Sequence, residues 1–267
     1  MKKLSLLLLL IMISSLLFGC AGRKAGELVV GMELAYPPFE TKDENGEPVG
    51  VSVDFAKAFG EYIGRPVRIE NINWDGLIPA LETGKVDMVI SSMTINESRL
   101  EKIDFSKPYA KALLALLVNV DSDVEKAEDL NREGKIVAVK TGSTGHIYAE
   151  KHLTNAEILS LPDESACVTE VVQGKADAFI YDQLTIYRNH ERNPDTTKAV
   201  YIPFQDVEYW GVGVKKGNTE LLEKLNGFID KFYEEGGFDK ITEKYLKEEK
   251  EAFERFNFEW FFTDVNK

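Results

Sequence analysis

One pattern occurs twice in this chain and constrains its fold more than any other feature. Ala80-Leu-Glu-Thr-Gly-Lys-Val-Asp-Met-Val-Ile90 aligns with Glu170-Val-Val-Gln-Gly-Lys-Ala-Asp-Ala-Phe-Ile180. Each copy reads as the end of a helix, a glycine stop, a lysine, an aspartate and a short apolar strand. Gly84 and Gly174 suit the left-handed position that ends a helix. Met88–Ile90 and Ala178–Ile180 suit parallel strands covered on both faces. A helix–turn–strand unit in each half predicts an α/β fold of two lobes with similar build.

The remaining periodicities agree. Leu28–Gly31, Val67–Ile69 and Lys135–Val139 read as strands. Val53–Ile63, Gly76–Glu82, Thr144–His152, Glu164–Gln173 and Gln183–Asn189 read as helices, the first with Phe55, Phe59, Tyr62 and Ile63 on one face. Strands alternating with helices predict parallel sheets. Two apolar stretches, Tyr109–Val118 and Val207–Val214, break the alternation and read as extended crossovers between lobes. After the second, Leu221, Leu222, Leu225, Phe228, Ile229 and Phe232 form a helical stripe that Phe238, Ile241 and Tyr245 continue. Packed back on the first lobe, these helices make it discontinuous: residues 27–110 and 211–267 form lobe 1 and residues 111–210 form lobe 2. The tail Glu251–Lys267 holds Phe253, Phe256, Phe258, Trp260, Phe261 and Phe262. Such a cluster is expected to pack on lobe 1, with a docking surface for a partner as the alternative.

Lys2 and Lys3 precede an apolar run from Leu4 to Phe18 that closes on Gly19 and Cys20. A basic start, a short apolar core and a small residue before the cut define an export leader over residues 1–19. The run is shorter than the ~20 apolar residues that a spanning helix needs. If Cys20 is used elsewhere, Cys167 has no partner for an internal disulfide, and its helical setting makes it a small buried apolar residue. The formal charge is −13, and the leader carries two lysines and no acid. So acidic a body disfavours nucleic acid, whose phosphates need a basic surface. His146, His152 and His190 lack metal-ligand spacing, and no Ser-His-Asp set emerges; no metal, cofactor or catalytic residue is expected.

The chemistry concentrates after the first copy of the repeat. The strand Met88–Ile90 runs out into Ser91, Ser92 and Thr94, and Arg99 follows. Small hydroxyl residues let backbone and ligand approach closely. An arginine beside them offers a rigid fork of donors that matches a carboxylate. The combination grips the acid end of a small molecule.

This segment, Asp87, Ser91, Ser92, Thr94, Asn96 and Arg99 followed by Asp104, Phe105, Ser106 and Tyr109, resembles the signature of the family-3 extracellular solute-binding proteins. Those are the amino-acid receptors of ABC importers. The resemblance extends over about Leu28 to Leu246 and implies a periplasmic-binding-protein-like fold of type II, two α/β lobes on a two-strand hinge. It implies that Arg99 meets the ligand's α-carboxylate with backbone amides of the Thr141–Thr144 turn. Asp182 on the second lobe meets the α-ammonium, completed by the hydroxyl of Thr94 and the carbonyl of Ser92. Tyr36 and Trp74 match positions that sandwich the ligand side chain. Glu33 and Lys140 fall where several relatives contact its distal end, and together they either resemble an amide-selective pair or neutralise each other. Thr144 stands where some amide receptors have glycine. Ser52 replaces a frequent aspartate and is expected to cap a helix.

The leader's ending resembles the lipobox of bacterial lipoproteins. It implies cleavage before Cys20, lipid on that cysteine, a tether over residues 20–26, and a membrane contact made through lipid only. The partners so implied are a polar amino acid and a membrane permease, with the receptor acting as a monomer. Two alternatives remain at this level. One is an enzyme resembling cyclohexadienyl dehydratases, which share the fold; the other is a sensor module serving a separate membrane receptor.

Overall fold

The structure is a computed structural model that describes residues 26–256 and 258–263; the leader and Cys20 lie outside the described residues. Among the described residues, no helix is long and apolar enough to cross a membrane.

In chain order the first part comprises β1 (Leu28–Met32), a hairpin of β2 (Thr41–Lys42) and β3 (Pro48–Val49), α1 (Val51–Ile63), β4 (Val67–Asn71), α2 (Leu77–Glu82), β5 (Met88–Val89), α3 (Glu97–Leu100) and β6 (Ile103–Phe105). The hinge strand β7 (Ala110–Ala112) leads to β8 (Leu114–Asn119), β9 (Ile136–Lys140), α4 (Thr144–His152), β10 (Glu157–Leu161), α5 (Glu164–Val172), β11 (Ala178–Asp182), α6 (Gln183–Arg192) and β12 (Thr197–Val200). The chain returns through β13 (Glu208–Trp210) to β14 (Gly213–Lys215) and closes with α7 (Thr219–Glu234), α8 (Gly237–Tyr245) and α9 (Lys247–Arg255).

Two five-stranded sheets have matching orders, β4-β1-β5-β14-β6 and β10-β9-β11-β8-β12. In each, the first three strands are parallel and the last two run against their neighbours. The all-parallel sheets predicted from alternation are therefore mixed. Crossing the hinge is the cause: β8 enters lobe 2, and β14 re-enters lobe 1, from the end where the parallel strands finish. The run Tyr109–Val118 is accordingly two strands, a short hinge segment and the fully buried β8. Antiparallel pairing of β7 with β13 forms the hinge.

The repeated sequence has one structural job in both lobes. Gly84 and Gly174 take positive φ, 76° and 69°. The aspartate three residues later then pins the neighbouring strand: Asp87 Oδ2 accepts the Val29 N–H at 2.9 Å, and Asp177 Oδ2 accepts the Ile136 N–H at 2.9 Å. The strands that follow, β5 and β11, are topologically equivalent, and their carboxyl ends face the space between the lobes. One runs out into Ser91, Ser92 and Arg99; the other ends at Asp182.

Every residue of β1 is buried. Leu28, Val30 and Met32 join Phe55 and Phe59 of α1 on one face, while Val29 joins Leu77 and Leu81 of α2 on the other. This two-sided cover explains the unbroken apolar run. Tyr62 departs from the predicted core face: it is 45% exposed, with its ring tilted against Phe228 at 5.5 Å. Ser52 does not cap α1. Gly50 occupies the cap position, and the Ser52 hydroxyl donates to Glu40 at 2.6 Å.

The tail packs on lobe 1 and also reaches lobe 2. The Phe261 ring lies 5.3 Å from both Phe39 and Trp210, and Phe262 stacks on Phe238 at 4.7 Å. The Phe261 carbonyl accepts the Lys111 N–H of the hinge at 3.0 Å. On the lobe 2 side, Phe258 meets Tyr201 at 4.7 Å, and just before the tail Glu249 pairs with Arg188 at 3.7 Å. Phe261 is fully buried, so Phe261→Ala should cost about 3–5 kcal/mol in urea denaturation. A loss below about 1 kcal/mol would show that the tail merely lies on the surface.

Candidate functional site

Arg99 sits on the single-turn helix α3, whose N-terminus is closed by Asn96 Oδ1 accepting the Arg99 N–H at 3.0 Å. The side chain turns inward and is 6% exposed. Its Nη1 donates to the Thr94 carbonyl at 2.6 Å and its Nη2 reaches across the cleft to the Gly142 carbonyl at 3.1 Å. The guanidinium lies 5.2 Å over the Trp74 ring. Burial pulls its pKa down to about 10, opposed by the charge of Glu208. It remains a cation at neutral pH.

Asp182 ends β11 and caps α6. Its Oδ1 accepts the Leu184 and Thr185 N–H groups at 2.9 and 3.1 Å. The residue is 6% exposed, and its second oxygen, Oδ2, is buried without a hydrogen-bond partner among the described residues. The buried Tyr36 hydroxyl is in the same condition. Burial raises the pKa of Asp182; the Tyr36 hydroxyl beside it, which falls short of hydrogen-bond geometry, opposes the shift first, and Thr185 and the Leu184 cap amide add to it. A buried carboxylate oxygen left unpaired carries a desolvation cost that a cationic donor would remove.

Arg99 and Asp182 line one narrow cavity between the lobes, partly open to solvent. Glu33, Tyr36, Trp74, Ser92, Thr94 and Thr144 share its wall. Tyr36 is held between Phe39, stacked at 5.1 Å, and the edges of Tyr181 and Trp210. Ser92 carries a left-handed φ of 48°, uncommon for a residue other than glycine. In the Thr141–Gly145 turn, Ser143 caps α4 by accepting the His146 N–H at 3.1 Å. Glycine is required at 145, where a Cβ would stand 2.4 Å from the Ile180 carbonyl oxygen. That close approach sets the α4 N-terminus beside β11.

Lys140 is not on the cavity wall. Its ammonium pairs with Glu33 across the cleft, and it is 4% exposed. The other Glu33 oxygen accepts the Trp74 N–H at 3.2 Å.

The wall also holds two acids that the sequence did not mark as site residues, Glu40 and Glu208. Glu40 is buried and accepts hydrogen bonds from Ser52, Ser92 and Ser91 at 2.6, 3.2 and 3.4 Å. Glu208, on hinge strand β13, accepts from Thr94 and Thr144, both at 2.9 Å. The signal that could have found them is an acid inside a run that otherwise reads as buried: Phe39-Glu40 in one case, Val207-Glu208-Tyr209-Trp210 in the other.

The chain matches the bacterial extracellular solute-binding proteins, family 3, over residues 28–248. It belongs to that family. A probable histidine-binding protein of Neisseria gonorrhoeae is 31% identical over 223 residues, covering 82% of this chain and 83% of the relative. Among solved structures, an ancestral arginine-binding protein bound to arginine is 38% identical with a TM-score of 0.77, over 84% of this chain and all of the other. The ancestral amino acid-binding protein AncCDT-1, a precursor of cyclohexadienyl dehydratase, is 36% identical with a TM-score of 0.76, over 84% and 96% of the two chains.

Burial pushes the Glu40 carboxyl up to about 8, against its serine donors and Lys140. A carboxyl raised in the folded state binds its proton more tightly there than in the unfolded chain, so its contribution to stability is full below the unfolded value near 4.5 and is lost as pH rises through about 8. Unfolding free energy should therefore fall between those limits, and Glu40→Gln should reduce the slope, by on the order of 1–3 kcal/mol across the window. Urea titrations at pH 5 and pH 8 measure it; identical slopes in both proteins would place the Glu40 proton elsewhere.

Proposed function

We propose that this chain is an exported receptor that clasps a polar amino acid between its lobes and presents it to a membrane permease of an ABC importer. One observation carries the reading: a buried guanidinium on lobe 1 and, on lobe 2, a buried carboxylate whose second oxygen has no hydrogen-bond partner among the described residues line the same cavity. A zwitterion leaving water loses several kcal/mol of solvation per charge unless each end is paired. Arg99 takes the α-carboxylate, with the amides of the Thr141–Thr144 turn. Asp182 takes the α-ammonium, with the Ser92 carbonyl and the Thr94 oxygen. Tyr36 and Trp74 flank the side chain.

A ligand that touches both lobes favours closure, because closure alone completes both sets of contacts. The closed form is what a permease recognises. Glu33 and Lys140 already satisfy one another, so the far end of the site offers a neutralised pair. That favours an uncharged polar side chain over a basic one. The relatives named for histidine and arginine support an amino acid as the cargo. Cys20 carries the lipid that holds the receptor, as a monomer, at the outer face of the membrane. Binding rather than turnover fits the site, since each acid on the wall either caps a helix, holds hydroxyl groups or pairs with Lys140.

In a thermal-shift panel of the twenty amino acids, one or a few polar members should stabilise strongly, by ~2.7 kcal/mol at one hundred times the Kd. No shift with any of them, or turnover of prephenate or arogenate, would contradict the reading. Arg99→Ala should weaken binding by about 3–5 kcal/mol, the cost of removing one partner from a buried charge pair. Calorimetry on the variant checks this, and retained affinity would put the carboxylate elsewhere.

A further inference from the structure

Glu208 lies where the hinge meets both lobes. Its Oε2 accepts two hydrogen bonds, from Thr94 Oγ1 of lobe 1 and from Thr144 Oγ1 of lobe 2, each at 2.9 Å. Its Oε1 accepts from Gln205 Nε2 at 2.6 Å. The backbone builds this arrangement. Thr94 bridges to Trp210, the Ile95 N–H donates to the Tyr209 carbonyl at 2.8 Å, and the Gly211 N–H donates to the Met93 carbonyl at 3.1 Å. Thr94 and Glu208 are therefore held in register, and Thr144 joins them from the N-terminus of α4.

A threonine hydroxyl has one proton and two lone pairs. With that proton committed to Glu208, each threonine offers only lone pairs to the cavity. Such an oxygen accepts from an ammonium and can donate nothing to a carboxylate. The Arg99 guanidinium beside it provides the place for the carboxylate. The polarity of the two hydroxyls therefore decides which way round a zwitterion lies.

Resting on the amino-acid reading above, we propose that Glu208 is a positioning residue that fixes Thr94 as an acceptor for the ligand's α-ammonium. It acts through the threonine and need not touch the ligand. A carboxylate is suited to the task because it only accepts, whereas an amide or hydroxyl could turn and offer a proton instead.

The test is a mutant cycle on the full chain, read by calorimetry with L-glutamine, L-histidine, L-arginine and L-cystine, the tightest of the four being carried forward. Glu208→Leu and Thr94→Val should each weaken binding by about tenfold or more, the effect of one buried hydrogen bond to a charged group. The double variant should bind within about threefold of Thr94→Val alone, since both changes remove one interaction. Glu208→Gln, whose amide can present either its oxygen or its N–H to the threonines, should fall between the wild type and Glu208→Leu. Should Glu208→Leu fail to fold, Glu208→Asp, one methylene too short to reach both hydroxyls, replaces it in the cycle.

Losses that multiply in the double variant, full affinity in Glu208→Leu, or a loss in Glu208→Gln equal to that of Glu208→Leu would each overturn the proposal. If the wild type binds none of the four probes, the member of the twenty-amino-acid panel that stabilises it most takes their place, and the amino-acid reading itself fails if no member of that panel binds. If it binds one and the cycle is additive, only the role of Glu208 fails.

Discussion

Two buried opposite charges on separate lobes, Arg99 and Asp182, set the terms for the rest of this molecule. Neither is paired with the other, and each is costly to keep out of water. Arg99 is supported by two carbonyls, one from each lobe, and by the face of Trp74. Asp182 is supported by the amides that begin α6, which leave one of its oxygens unpaired. The scaffold holds both groups against their preference for solvent, and a dipolar guest reaching both would relieve that cost.

The scaffold that does this is one unit used twice. Equivalent aspartates, Asp87 and Asp177, tie equivalent strands, and the carboxyl ends of those strands deliver the cation on one lobe and the anion on the other. The hinge strands hold the two sheets in relation, and the aromatic tail adds contacts to both. Cross-cleft contacts, Lys140 with Glu33 and Arg99 with the Gly142 carbonyl, join the lobes around the cavity. The same geometry that fixes the ends of the site therefore also fixes its closure.

Much of this was legible in the sequence because it is written locally. The repeated Gly-Lys-x-Asp-strand unit predicts two similar lobes, and the hydroxyl cluster before Arg99 marks the cation end. What escaped depends on contacts between distant residues. The strand β8 lies in an apolar run with no turn signal, so it reads as a crossover until its partners β11 and β12 are known. Strands β10 and β12 lack a clean alternation of buried and exposed residues and left no pattern to read. Ser52 has the chemistry of a cap, yet its partner Glu40 is twelve residues away and claims the hydroxyl. Nothing near Glu208 in the chain marks it, because its partners, Thr94 and Thr144, come from both lobes. For Glu33 and Lys140 the sequence left two outcomes open, an amide-selective pair or mutual neutralisation, and the structure pairs the two side chains across the cleft.

The measurement closest to the central claim is a crystal structure of the protein with the amino acid that stabilises it most. The account predicts one molecule in the cleft, its carboxylate on the Arg99 guanidinium and its α-nitrogen within about 3 Å of Asp182 Oδ2, the length of a charge-assisted hydrogen bond. A ligand bound with Asp182 Oδ2 still unpartnered, or bound outside the cavity that Arg99 and Asp182 share, would contradict it.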